Sequence, residues 1–190
     1  MVAVEPIYDQ LLAKVVERAR TLRVGDPSDP NTFMGAVIDE KSFGKINEYI
    51  AIAENEGRIV LGGPAPLSEG YFIAPTIVAD VAPDARLAQE EVFGPLLAFI
   101  KVNNFDQALE VANNTEYGLT GGVFSKNKER LNRAREDFHV GNLYFNRKIT
   151  GAMVGAHPFG GFNMSGTDSK TGSRDYLLLY LQGKSIAEKL

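Results

Sequence analysis

The order of apolar and amphipathic segments in the second half of this chain constrains its fold more than any other feature. From "LLAFIKV" (96–102) onward, strand-like runs alternate with single helix-like ones: "FDQALEVANN", "LTGGVFS", "KERLNRAREDF" and "GNLYFNR". Strands separated by single helices are joined by right-handed crossovers, which build a largely parallel sheet covered by helices. The expected fold class is therefore α/β, a three-layer αβα arrangement around a largely parallel sheet. The 190 residues are enough to bury about 70% of the unfolded surface in a core.

The first half supplies more elements. Ile7, Leu11, Leu12, Val15, Val16, Ala19 and Leu22 recur at helical spacing, and "VGDPSDPNT" stops that helix with a glycine and two prolines. Asp39 is placed to cap a second helix with an apolar stripe of Phe43, Ile46, Ile50 and Ala53, ended by Gly57. "RIVLGG" reads as a short strand. "YFIAPTIVADV" reads as another, in which Pro75 implies an edge position or a break. "PDARLAQEEVFGP" reads as a polar loop. At the end, Tyr176 to Leu181 is a compact apolar run, and "QGKSIAEKL" is compatible with a short strand. Such a terminal segment either fills a core or forms an arm that docks on another subunit.

Composition excludes several classes. The net charge is −4 with a pI near 5.3 and no basic face interleaved with aromatic rings, so nucleic acid is not an expected partner. "MVAVEPIYDQ" has neither a basic region nor an apolar run of the kind that leads secretion, and no segment reaches membrane-spanning length. The expectation is a cytoplasmic chain with no membrane partner. There is no cysteine, which removes disulfides, thiolate metal sites and thiol nucleophiles together. His139 and His157 lack Glu, Asp or Cys at ligand spacing, so no metal is expected. Ser165 sits in "NMSG" without the surroundings of a nucleophilic serine.

"GGFNMSGTDSKTG" (160–172) has the two-glycine spacing of a phosphate-cradling loop, but Thr167 occupies the place of its lysine. Without that cation the spacing describes only a tight polar turn.

Ligands of open parallel sheets sit beyond the carboxyl ends of the strands, and two such segments stand out. In "QEEVFGP", a turn-fixed carboxylate from Glu90 or Glu91 is suited to vicinal hydroxyls, and the neighbouring ring to covering a flat ligand. The plainer reading is an acidic surface loop with Phe93 anchored in the core. In "NRKITGAMVGAHPFGGF", Gly151 and Ala152 are placed to present backbone N–H groups to a carboxylate, and Phe159 to wall an apolar pocket. The plainer reading there is tight turns and a packed ring. Residue chemistry by itself leaves both pairs open.

Taken together, "VGDPSDPNTFMG", "YFIAPTIVADV", "AQEEVFGP", "YGLTGGVFS", "GNLYFNR" and "PFGGFNMSGTDSKTG" resemble, in order and over nearly the whole chain, the NAD(P)-dependent aldehyde dehydrogenase superfamily. "GNLYFNRKITGAMVG" followed by "PFGGFNMSGTDSKTG" is most similar to the branch that oxidises glutamate semialdehyde to glutamate in proline breakdown. The resemblance implies NAD or NADP as cofactor, no metal, and a homo-oligomer. It also implies that Glu91 binds the nicotinamide-ribose hydroxyls and that Phe93 packs near the nicotinamide. Gly151 and Ala152 would meet the substrate α-carboxylate, and Phe159 would line its aliphatic part.

The family's chemistry is thiolate attack on the aldehyde, hydride transfer to NAD, and thioester hydrolysis with a glutamate base. In the family, the nucleophilic cysteine lies shortly before the segment matched by "VAVEPIYDQLLAKVVERA", with the base and most of the dinucleotide-binding domain earlier still. The expectation is thus an N-terminally incomplete catalytic domain over 1–172 and a C-terminal helix and oligomerisation arm over 173–190. By itself this chain would be inactive and would need the missing dinucleotide-binding domain as partner. Two alternatives stand beside it: a non-catalytic assembly module pairing with intact subunits, and another aldehyde dehydrogenase branch. Two departures from the family pattern bear on detail. Ala36 stands where proline is common, and Ala156-His157 precede "PFGG" where a glutamine is usual.

Overall fold

The computed structural model describes residues 1–64, 70–150, 153, 155–166 and 171–189. Contacts divide the chain into two compact units, Met1–Val111 and Ala112–Leu190.

The first unit begins with β1 (Val2–Val4), which runs straight into α1 (Glu5–Arg20), with Pro6 in the first turn, where its missing N–H is no loss. After the proline-rich loop, Asp39 accepts a hydrogen bond from the Ser42 amide at 2.7 Å and opens α2 (Glu40–Glu56), the cap expected from the sequence. β2 (Arg58–Leu61) and β3 (Thr76–Ala79) pair antiparallel, and β3 pairs parallel with β4 (Leu96–Ala98). A one-turn helix, α3 (Arg86–Gln89), interrupts the segment expected as loop. β5 (Ile100–Val102) pairs parallel with β1, and α4 (Phe105–Asn113) leads out of the unit.

The expected single strand "LLAFIKV" is divided at Phe99. There the chain exchanges neighbours: the Phe99 amide donates to Val78 O at 2.8 Å and its carbonyl accepts from Val81 at 3.1 Å. Pro75 marks a break and not an edge, because β3 starts immediately after it and has a neighbour on each side.

Strand periodicity explains the layering of this unit. Ile77, Ala79 and Phe99 meet Tyr8 and Leu12 of α1, while Val78, Ile100 and Val102 point the other way, into a cluster with Tyr49 and Ala53 of α2. Phe43, Ile46 and Ile50 extend the α2 face around Ile73. The result is helix, sheet, helix, as the α/β reading requires.

In the second unit, β6 (Tyr117–Gly118) pairs antiparallel with β9 (Phe162–Asn163), and β7 (Thr120–Val123) pairs parallel with β8 (Asn142–Phe145) across α5 (Lys128–Asp137). The Asn127 side chain caps α5, accepting from the amides of Glu129 and Arg130 at 2.8 and 3.1 Å. Residues Arg174–Tyr180 form a 3-10 helix, and the strand expected in "QGKSIAEKL" is absent among the described residues. Tyr176 to Leu181 does not fill a core in this chain: Leu177, Leu178, Leu179, Tyr180 and Leu181 are all exposed.

Candidate functional site

The loop from Glu90 to Gly94 alternates between anchors and presented side chains. Val92 packs against the α2-side clusters. Gly94 lies so close to fully buried Ile46 that an added Cβ would fall 2.6 Å from its Cγ1. Alternating with these anchors, Glu91 and Phe93 turn outward. Phe93 is 80% exposed and holds a positive φ of 56°, a backbone region costly for a bulky residue. The reading of Phe93 as a core anchor is therefore corrected, and Val92 is the residue that fills that role.

Beneath the loop is a concavity of about 310 Å³. Leu87, Val92, Leu96 and Ala98 supply apolar lining, and Glu90, Glu91 and Phe93 supply the rest with Gly94. The two glutamates differ in commitment. Arg86 donates to both oxygens of Glu90, at 3.0 Å each, and the Tyr49 hydroxyl donates to Oε2. These hydrogen bonds from Arg86 and then Tyr49 hold the Glu90 carboxyl down at about 2, against burial. Glu90 holds the Arg86 guanidinium above its ordinary range in return. Glu91 offers its backbone carbonyl to Lys45 Nζ at 2.8 Å, and among the described residues no hydrogen bond or ion pair occupies its carboxylate. An uncommitted carboxylate beside an exposed ring over a hollow of mixed apolar and polar lining suits a ligand with vicinal hydroxyls and a flat heterocycle, as in a nicotinamide riboside.

The second candidate segment lies in the other unit. Phe159 is exposed and bridged to Thr171: amide to carbonyl at 2.8 Å, the return bond at 2.9 Å, and the Thr171 hydroxyl on Phe159 O at 3.0 Å. Asn142, at the start of β8, donates from its amide to Pro158 O at 2.9 Å. Close approach is again required: a Cβ on Gly141 would fall 1.6 Å from Gly160 O. Gly151 and Ala152 lie outside the described residues. Ser165 uses its hydroxyl to accept from the Gly118 amide at 3.0 Å. Among the described residues no group of three or more His, Cys, Asp or Glu side chains could hold a metal ion.

Sequence reasoning missed Lys45, Tyr49 and Arg86. Arg86 and Glu90 were legible as an i,i+4 pair, and Lys45 and Tyr49 share that spacing on α2; what could not be read was that the two pairs converge on one loop.

The chain belongs to the aldehyde dehydrogenase family: the model of the "Aldehyde dehydrogenase family" matches residues 1–186. Within it, the chain is 60% identical over 187 residues to the 1-pyrroline-5-carboxylate dehydrogenase of Geobacillus sp. (strain WCH70), covering 98% of this chain and 36% of that protein. It is 59% identical over 188 residues to the enzyme of the same name from Anoxybacillus flavithermus (strain DSM 21510 / WK1), covering 99% and 36%. The crystal structure of 1-pyrroline-5-carboxylate dehydrogenase from Thermus with bound NAD superposes with a TM-score of 0.94 at 53% identity, over 100% of this chain and 36% of that one. The chain thus spans about a third of the length of these relatives.

Proposed function

We propose that this chain is the C-terminal part of the catalytic machinery of an NAD-dependent 1-pyrroline-5-carboxylate dehydrogenase, a cytoplasmic enzyme that oxidises glutamate semialdehyde to glutamate in proline breakdown. The observation that carries the reading is the outward pair on the anchored loop: the uncommitted carboxylate of Glu91 and the exposed ring of Phe93, whose backbone is held at positive φ. The names of the relatives and the NAD bound to the Thermus enzyme support it.

When bound, NAD supplies the hydride acceptor. Glu91 accepts hydrogen bonds from the ribose hydroxyls, and Phe93 covers a face of the nicotinamide and excludes water. Gly151 and Ala152 direct amides at the substrate carboxylate, and Phe159 walls its aliphatic chain. The family's cysteine nucleophile has no counterpart in this sequence, which contains no cysteine, and a hydroxyl in its place would need a positioned base. Residues 1–172 serve as catalytic domain and 173–190 as an arm toward another subunit, a role supported by the exposed leucines at 177–179.

The test is NADH formation from 1-pyrroline-5-carboxylate and NAD. This chain by itself should form none. Joined behind the amino-terminal portion of the Geobacillus relative, it should restore turnover. NADH formation by the pure chain would overturn the assignment of the chemistry to residues outside it.

A further inference from the structure

The side chains gathered around Glu90 carry an inference that rests on the cofactor reading above and deepens it. Lys45 and Tyr49 occupy one face of α2, and Arg86 opens α3. The Arg86 guanidinium and the Lys45 ammonium lie over the Tyr49 ring at 5.4 and 5.7 Å. From this platform, Tyr49 and Arg86 fix the Glu90 side chain, and Lys45 fixes the Glu91 carbonyl at 2.8 Å. The contacts fall on either side of the Glu91 Cα, and none of them touches its carboxylate.

We propose that Tyr49, Arg86 and Lys45 are positioning residues that, through Glu90 and the Glu91 carbonyl, aim the Glu91 carboxylate at the nicotinamide ribose of NAD. With the backbone held on both sides of residue 91 and Val92 packed into the core, only the side-chain torsions of Glu91 remain to be ordered by ligand. Fixing a binding group in advance removes part of the ordering cost of association. A cluster that merely fastened α3 to α2 would not require a lysine on the Glu91 carbonyl. The ionisation of Glu90 agrees with the role, since its charge persists across the working pH range of any such enzyme.

The test uses the joined dehydrogenase described above with three variants. Tyr49→Phe keeps the ring and both cations over it and removes only the hydroxyl; Glu90→Gln removes the charge that Arg86 holds; Glu91→Gln removes the ligand-facing carboxylate. Loss of one aligned hydrogen bond should raise KM for NAD about fivefold in Tyr49→Phe and more in Glu90→Gln, with KM for the aldehyde unchanged. An unchanged KM for NAD in both, with a raised one in Glu91→Gln, would overturn the positioning role and leave the cofactor reading intact. An unchanged KM in Glu91→Gln would remove the cofactor reading itself, and the inference with it.

A second measurement, on the 190-residue chain, does not need turnover. Amide hydrogen exchange at Glu90, whose N–H donates to Arg86 O at 2.8 Å, should be faster in Tyr49→Phe than in the parent, with the α2 amides unchanged. Equal rates would show that the loop is set without the network and would overturn the proposal.

Discussion

The hydroxyl of Tyr8 and Asp80 hold each other through both the carboxylate and the backbone amide of Asp80. Tyr8 donates to Asp80 Oδ1 at 2.9 Å and accepts from the Asp80 amide at 2.8 Å, and the residue so held has a positive φ of 61°. Arg58 completes the arrangement, donating to Oδ2 at 2.8 and 3.1 Å. Tyr8 is almost wholly buried against Phe99, so one bond pair ties α1 to the end of β3. Tyr8→Phe should destabilise the chain by about 1.5–2 kcal/mol, the lower part of the range for hydrogen bonds to charged groups, since Asp80 is partly solvated. Chemical denaturation of the two proteins checks it.

Gly94→Ala tests the anchoring of the candidate loop. The new methyl would meet three atoms of Ile46, all within 2.9 Å, in a side chain with no exposed surface. Overpacking of this kind costs about 1–3 kcal/mol. The expected result is a lower denaturation midpoint with unchanged slope, together with weaker NAD binding in the joined enzyme.

Glu90 gives the stability of the chain an acid limb. Its carboxyl is held at about 2 against an ordinary 4.5, so the folded form binds a proton less readily than the unfolded one. The corresponding stabilisation is complete above about 4.5 and is lost as pH falls toward about 2. Glu90→Gln should flatten the pH dependence of unfolding in that window and leave it unaltered near neutrality. Denaturation midpoints measured across the window check this.

The substrate loop makes a separate prediction. Ala152→Pro deletes the N–H that the proposed function assigns to the substrate carboxylate. In the joined enzyme it should raise KM for 1-pyrroline-5-carboxylate at least about tenfold, on the order of the loss of a hydrogen bond to a charged group, with KM for NAD unchanged. Steady-state kinetics in both substrates check it, and an unchanged KM for the carboxylate substrate would count against the loop.

Much of the fold was legible because it depends on periodicity. The apolar stripes of α1 and α2, the Asp39 cap and the alternation of strands with α4 and α5 all follow from local chemistry. What was not legible depends on partners distant in sequence. The division of "LLAFIKV" at Phe99 arises because β4 pairs with β3 and β5 with β1. The outward Phe93 and inward Val92 follow from the close approach of Gly94 to Ile46, nearly fifty residues away. Glu91 and Phe93 were picked out by resemblance to the family, residue type having left Glu90 and Glu91 both open, whereas their support by Lys45, Tyr49 and Arg86 exists only once α2 lies beside the loop.

The most direct test of the central claim is hydrogen–deuterium exchange of the joined enzyme with and without NAD, followed across the residues of this chain. Protection on NAD addition should appear at residues 90–94. Exchange there that is identical with and without saturating NAD would contradict the account.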